Sequence, residues 1–379
     1  MNLRPYADEA REPAASPWKI ATEKALLVAA GVCFALLFLE VGIRLVAPQN
    51  LRFFDDSDLR LNAWEFIPHA KRNDYIGVPV HINNVGLRGH DIAVPKPDGV
   101  YRIVALGDSI TFGYGVPNEK TFPQDLERLL NQNLATSVHY EVVNAGVPGT
   151  GLSYYEYFVR KQASQLNPDL ILICMALNDI TVYHPSPTEP LVRQASRGRR
   201  FNYYLLRHSH LYQLWYVKLK SVLYGFGVLD LRKEHAGDFL PIEPPSPMQT
   251  RAWASTTAIL DRIMKEVHEQ GVQAVLVLFP LELQISTETL NFYNKSFHLN
   301  VDSIALAGNP QRILVQYARS HGVPIIDLLP AFRDSARNDL FLRNVSISFD
   351  PVHPSVAGDQ IAANEIFKGI AGIVRSSGR

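Results

Sequence analysis

The longest unbroken hydrophobic run extends from Ala25 to Leu39. Glu40 interrupts it, and apolar residues resume around Arg44 as Val41, Gly42, Ile43, Leu45, Val46 and Ala47. At about 23 residues this stretch is long enough to cross a bilayer as a helix, so a single transmembrane helix is predicted over 24–47. Glu40 and Arg44 are one helical turn apart and are expected to pair, with Arg44 reaching toward the interface. No small-x-small site follows the apolar core cleanly, and Cys33 lies inside it, so a cleaved signal peptide fits less well. Arg11, Lys19 and Lys24 precede the run, while Arg52 and Arg60 follow it. That bias slightly favours a cytoplasmic N-terminus, with residues 1–23 as a disordered cytoplasmic tail.

Residues 48–98 carry turn signals at Asn83-Asn84, Gly86 and Gly89 and read as a linker and lead-in. From residue 101 the pattern becomes short apolar strands alternating with helices. Strands are predicted at 103–106, 138–143, 170–175, 272–279 and 323–328. Helices are predicted at 122–133, 154–165, 249–269, 309–320 and 355–374. Near-continuous apolar strands separated by helices imply a parallel sheet covered on both faces. The segment 181–248 breaks this rhythm as an insertion rich in Arg, Tyr and Leu. Its aromatic positions read better as helices packed on the domain than as a cap touching the membrane. The domain proper is predicted to span 99–379.

Net charge is zero, from 37 basic and 37 acidic residues, which argues against nucleic acid as a partner. The two cysteines, Cys33 and Cys174, fall in separate apolar segments, and no disulfide is expected. No phosphate-binding glycine loop is present, and His208-Ser209-His210 has no nearby Cys or acidic cluster, so neither cofactor nor metal is expected.

The chemistry-bearing residues stand where predicted strands end or where the final helix begins. Gly107-Asp108-Ser109-Ile110-Thr111 follows the first strand, although without the spacing of a G-x-S-x-G elbow. Serine is a weak nucleophile and needs a base. Asp350-Pro351-Val352-His353-Pro354-Ser355 precedes the last helix. There the aspartate can orient the imidazole through Nδ1, leaving Nε2 to face the serine. Asn144-Ala145-Gly146 follows the second strand and Asn178-Asp179 the third. The Gly146 N–H and the Asn178 amide are candidate donors to an oxyanion. Each motif alone also reads as ordinary turn chemistry. Their joint arrival on one rim of one sheet favours a site.

These blocks resemble those of the SGNH (GDSL-type) hydrolases. Gly107-Asp108-Ser109-Ile110-Thr111 is similar to the first block, Asn144-Ala145-Gly146 to the second, Ala176-Leu177-Asn178-Asp179 to the third and Asp350-Pro351-Val352-His353-Pro354 to the last. The resemblance runs over about 100–374. It implies a flavodoxin-like three-layer α/β sandwich on a five-stranded parallel sheet. It also implies Ser109 as nucleophile, His353 as base, Asp350 as its orienter, and an oxyanion hole of Ser109 N–H, Gly146 N–H and the Asn178 amide. One departure is Ala176, where the family usually has glycine. The lead-in Asn83-Asn84-Val85-Gly86-Leu87-Arg88-Gly89 is similar to a segment of bacterial membrane-anchored relatives, which implies a periplasmic catalytic domain. The expected function is ester hydrolysis on an acylated small molecule, carbohydrate or lipid of the envelope. Acyl transfer to an extracellular polysaccharide and a non-catalytic, membrane-tethered binding module are the alternatives.

Overall fold

The computed structural model describes residues 17–49, 51, 56–134, 137–180, 197–226, 228, 247–297, 303–335, 337–342 and 352–377. The N-terminal helix α1 spans Pro17–Val46, and its stretch Ala21–Val46 is long and apolar enough to cross a membrane. Helix formation thus begins inside the segment predicted as disordered tail. Proline is well tolerated in a first helical turn, and nothing from Trp18 to Lys24 opposes a helix. Residues 1–16 lie outside the described residues.

A two-stranded antiparallel ribbon follows, β1 (Lys71–Tyr75) with β2 (Val78–His81). The central sheet comprises β3 (Val100–Gly107), β4 (His139–Gly146), β5 (Leu170–Met175), β6 (Gln273–Leu278) and β7 (Ile325–Asp327). All its pairings are parallel and its spatial order is β4-β3-β5-β6-β7, the flavodoxin-like arrangement. Every strand predicted from apolar runs is present.

The helices are α2 (Ser109–Phe112), α3 (Phe122–Asn133), α4 (Leu152–Phe158), α5 (Arg197–His208), α6 (His210–Gly225), α7 (Pro247–Glu269), α8 (Thr287–Phe297), α9 (Ser303–Ser320), α10 (Leu329–Asp334) and α11 (Val356–Ser377). Helix α4 continues through a π turn over Val159–Ala163 to Leu166. Helix α9 starts before the predicted 309, so Pro310 sits within it. Helices α5 and α6 belong to the insertion, of which 181–196, 227 and 229–246 lie outside the described residues.

Strand alternation divides the core between the two faces of the sheet. Val104 and Leu106 of β3 pack in one cluster with Leu152, Tyr155 and Phe158 of α4 and Leu260 and Ile263 of α7. Ile103 and Ala105 point the other way, among Leu126 and Leu130 of α3 and Ile366 and Ile370 of α11. The lead-in changes the picture drawn from sequence. Leu59, Trp64, Phe66, Tyr75, Val80, Ile82, Leu87 and Ile92 are all buried in the first cluster. Residues 56–98 therefore complete one face of the core rather than serving as a linker. Their hydrophobic residues are scattered between turns, so no periodic stripe announced them.

Two buried arginines fasten this segment. Arg102 bonds the Glu141 carboxylate and donates to Leu166 O and Ala93 O, both at 2.7 Å. Arg88 donates to Phe112 O, to Gly113 O at 2.6 Å and to Asn118 Oδ1 at 2.8 Å, and its guanidinium lies 4.7 Å from the Phe112 ring. Burial lowers the Arg88 pKa to about 10, so it stays protonated at neutral pH.

Candidate active site

The chain runs from β3 to β4 on one side and then returns to β5 on the other. The crevice at the carboxyl ends beside β3 is thus the topological switch point, where ligands bind in open α/β sheets. Three candidate loops leave the sheet there, after β3, β4 and β5.

Ser109 opens α2, one helical turn closed by Gly113 in the left-handed region. Asp108 caps that turn by accepting Ile110 N at 2.8 Å through Oδ1. The turn sits directly against the strand ends because two glycines pair in register there, Gly107 with Gly146. A Cβ on Gly107 would stand 2.0 Å from Thr111 Oγ1, and one on Gly146 would stand 2.1 Å from Phe112 N. Any larger residue at either place would push the serine off the rim.

His353 reaches the same point from the far end of the chain. Helix α11 packs on α3. Asp359 in its first turn accepts Phe122 N, at the start of α3, at 3.0 Å. Ser355 caps α11, accepting Ala357 N at 3.1 Å, and Leu342 N donates to His353 O at 3.0 Å. His353 Nε2 then lies 2.9 Å from Ser109 Oγ, across 244 positions of sequence. The Tyr114 ring, just past α2, lies against the imidazole at 4.5 Å between centroids and 30° between planes. Tyr114 in turn meets Tyr75 of the β1–β2 ribbon edge-on at 5.6 Å, so the lead-in braces the histidine. Asp350 lies outside the described residues. Asp327, at the end of β7, accepts Leu329 N at 3.0 Å.

The predicted oxyanion donors have separate fates. Ser109 occupies the first helical position, whose N–H has no intrahelical acceptor. Asn178 Nδ2 donates one proton to Asp108 Oδ2 at 2.6 Å, which fixes the amide beside the Ser109 loop. The amide retains a second proton. Gly146 departs from expectation. Its N–H donates to Asn144 Oδ1 at 3.0 Å, so the donor is engaged within its own loop and the residue's part is close packing under α2. The next glycine, Gly149, was missed from sequence. It is exposed, with φ of 74°, in the turn just beyond Val147, whose N–H bonds Gly107 O at 3.1 Å. The signal was available as the second glycine of Gly146-Val147-Pro148-Gly149. Ala176 is extended at φ −130° and ψ 178°, a conformation open to any residue, so its methyl strains nothing.

Behind the rim two carboxyls are buried, Asp108 and Asp179. Asp179 accepts Ala176 N at 3.0 Å and Tyr155 Oη at 3.1 Å. Burial pushes its carboxyl well above the usual carboxylate range, and the nearby Asp108 adds to the rise. Burial also raises Asp108, opposed by the bonds from Asn178 and Ile110 N. Asp179 is therefore the member of the pair that more readily keeps a proton.

A family model described as GDSL-like lipase/acylhydrolase matches residues 105–361, well over half of the chain. The chain belongs to that family. It is an SGNH-type esterase, in agreement with the resemblance of its sequence blocks. Among solved structures, it is similar to a catalytic mutant of an acetylxylan esterase from Geobacillus stearothermophilus, at 16% identity and a TM-score of 0.39, covering 71% of this chain and 94% of that one. A lipase/acylhydrolase from Enterococcus faecalis overlays at 15% identity and a TM-score of 0.39, covering 72% of this chain and 96% of that one. No curated protein matches the chain.

Proposed function

We propose that this esterase cleaves carboxylic esters through an acyl-enzyme on Ser109, with His353 as general base and then general acid. The single observation that carries the assignment is the 2.9 Å separation of His353 Nε2 and Ser109 Oγ at the switch point of the sheet. In this reading Nε2 takes the hydroxyl proton as Oγ attacks the ester carbonyl. The tetrahedral oxyanion is held by the Ser109 N–H and the second Asn178 amide proton, with the Gly149 N–H in place of Gly146. Asp350, three residues before the histidine, orients its Nδ1. The alcohol departs with the proton from His353, and water, activated by the same ring, releases the acid.

The substrate class follows from location. With α1 as a single-pass anchor and a cytoplasmic N-terminus, the site works on the periplasmic side. Acylated envelope carbohydrate and lipid are the esters within reach there.

The test uses the full chain in detergent micelles with 4-nitrophenyl acetate. Ser109→Ala should lower kcat by at least about 10⁴-fold, because removing the nucleophile of such a unit removes nearly all its rate enhancement. A fluorophosphonate should label wild type and not the variant. Equal, slow rates in both proteins would end the hydrolase reading. Labelling of intact and permeabilised cells reports the side of the membrane, and a polysaccharide acceptor that collects the acyl group would instead favour transfer.

A further inference from the structure

Helices α5 and α6 of the insertion are joined to α1 by a compact set of bonds. Glu40 Oε2 accepts Ser209 Oγ at 2.7 Å and Leu211 N at 2.9 Å, while Oε1 accepts His210 N at 3.0 Å and Arg44 Nε at 2.7 Å. Arg44 Nη2 donates to His208 O at 2.8 Å, and Gln49 N donates to His210 Nδ1 at 2.7 Å. One carboxylate on α1 thus caps the start of α6, and one guanidinium on α1 caps the end of α5. The clasp stands at a defined height. Glu40 is the first polar residue after the run Ala25–Leu39 and begins the last two turns of the predicted span, where the helix approaches the headgroups.

The composition of the pair fits that height. Residues 197–226 carry Arg197, Arg199, Arg200, Arg207, Lys218 and Lys220 and no Asp or Glu, in a chain whose charges balance only as a whole. On α6, Trp215, Leu219 and Val222 repeat at helical spacing, and Phe226 continues the line just past its end. All are exposed, Trp215 by 58% and Phe226 by 80%. On α5, Phe201 and Tyr204 are exposed in the same way. The insertion read from sequence as helices packed on the domain therefore leaves an aromatic and aliphatic stripe uncovered. The opposite side is engaged, since Leu206 and Gln213 are buried and α6 packs against α8 of the catalytic domain.

We propose that the α5–α6 pair is a second membrane contact, lying in the headgroup layer beside the exit of α1 with its apolar stripe turned into the acyl boundary. The proposal rests on α1 spanning the bilayer and is independent of the reaction assigned to Ser109. Basic residues flanking a Trp/Phe/Leu face are the composition of helices that lie in the interfacial plane, and cations there gain from anionic lipid. Lys218 stands within the stripe, between Trp215 and Val222. A lysine is disfavoured at the centre of a protein interface, whereas at a headgroup layer its stem lies in the apolar boundary and its ammonium reaches water. Because α6 is held by both α1 and α8, the contact sets the height and tilt of the catalytic rim above the membrane.

The test places an environment-sensitive NBD fluorophore on single cysteines in the full chain carrying Cys33→Ala, with Cys174 buried and left in place. Val222→Cys and Phe226→Cys probe the stripe. Leu36→Cys probes α1, and Lys265→Cys on the exposed face of α7 is the aqueous reference. Each protein is reconstituted in nanodiscs of phosphatidylcholine and phosphatidylglycerol containing nitroxide-labelled lipid. The expected result is blue-shifted emission at 222 and 226, with nitroxide quenching at least about twofold above the reference. That quenching should weaken when phosphatidylglycerol is omitted. Quenching at 36 but reference-level quenching at 222 and 226 overturns the proposal alone. Reference-level quenching at all three overturns the anchor reading with it. A blue shift at 222 and 226 without lipid quenching means that a second copy of the chain covers the stripe, and also overturns it.

Discussion

Asp179 keeps a carboxyl where water does not reach, next to a second buried carboxyl, and folding therefore favours its protonated form. The sign of the consequence follows from linkage. A group whose pKa is raised on folding contributes stability below its unfolded value, and that contribution is lost as pH rises toward the folded value. Wild type should therefore lose ground to Asp179→Asn as pH rises from about 4 to 8, by up to about 1.4 kcal/mol per pH unit. The amide can still accept from Ala176 N and bond Tyr155. Thermal denaturation of both proteins across that range gives the answer, and parallel Tm curves would refute the assignment. At this scale Ser109 and Asn178 were legible in the sequence because each follows a strand end in a short motif, and His353 because its motif stands just before the last helix. The engagement of Gly146 was not. A glycine kept for close approach and a glycine kept for its N–H are the same letter, and only the position of Phe112 separates them.

The short helix α2 owes its place to what lies beneath and beside it. Gly107 and Gly146 clear its floor, while Arg88 ties the carbonyls of Phe112 and Gly113 at its end. Gly146→Ala puts a methyl against backbone rather than against a movable side chain. It should cost at least about 1–3 kcal/mol and lower kcat by lifting Ser109 away from His353. Gly372→Ala is the control. That glycine lies in α11 with nothing within 4 Å of a Cβ, and alanine there should stabilise by up to about 1 kcal/mol. Tm and turnover of the two variants check both statements. If Gly146→Ala keeps wild-type stability and rate, the close-packing account of α2 is wrong. The strands and α3 were readable from apolar runs and helical spacing. The early start of α9 and the π turn after α4 were not, since packing decides where a helical pattern begins and how its turns close.

At the scale of the whole molecule, the lead-in and the catalytic domain share one core. A chain beginning at residue 99 would lack Trp64, Phe66, Tyr75, Val80, Ile82 and Leu87. Each such side chain contributes about 1.5–3 kcal/mol on burial, and together they amount to about 9–18 kcal/mol, as much as the roughly 5–15 kcal/mol by which domains are stable. That fragment should aggregate or lack a cooperative unfolding transition, while a chain beginning at residue 56 should fold. Circular dichroism melts of the two would decide the matter. A well-folded fragment from 99 would show that the lead-in is dispensable.

The sequence by itself determined the order of strands and helices, the long apolar N-terminal helix and the motifs at the rim. These are written in local periods and in residue types set a few positions apart. Tertiary structure alone decided that Ser109 and His353 meet across 244 positions, that the lead-in belongs to the core, and that Glu40 clasps α5 to α6. Those outcomes depend on which surfaces are left to pack once each element has formed, and no local pattern records that.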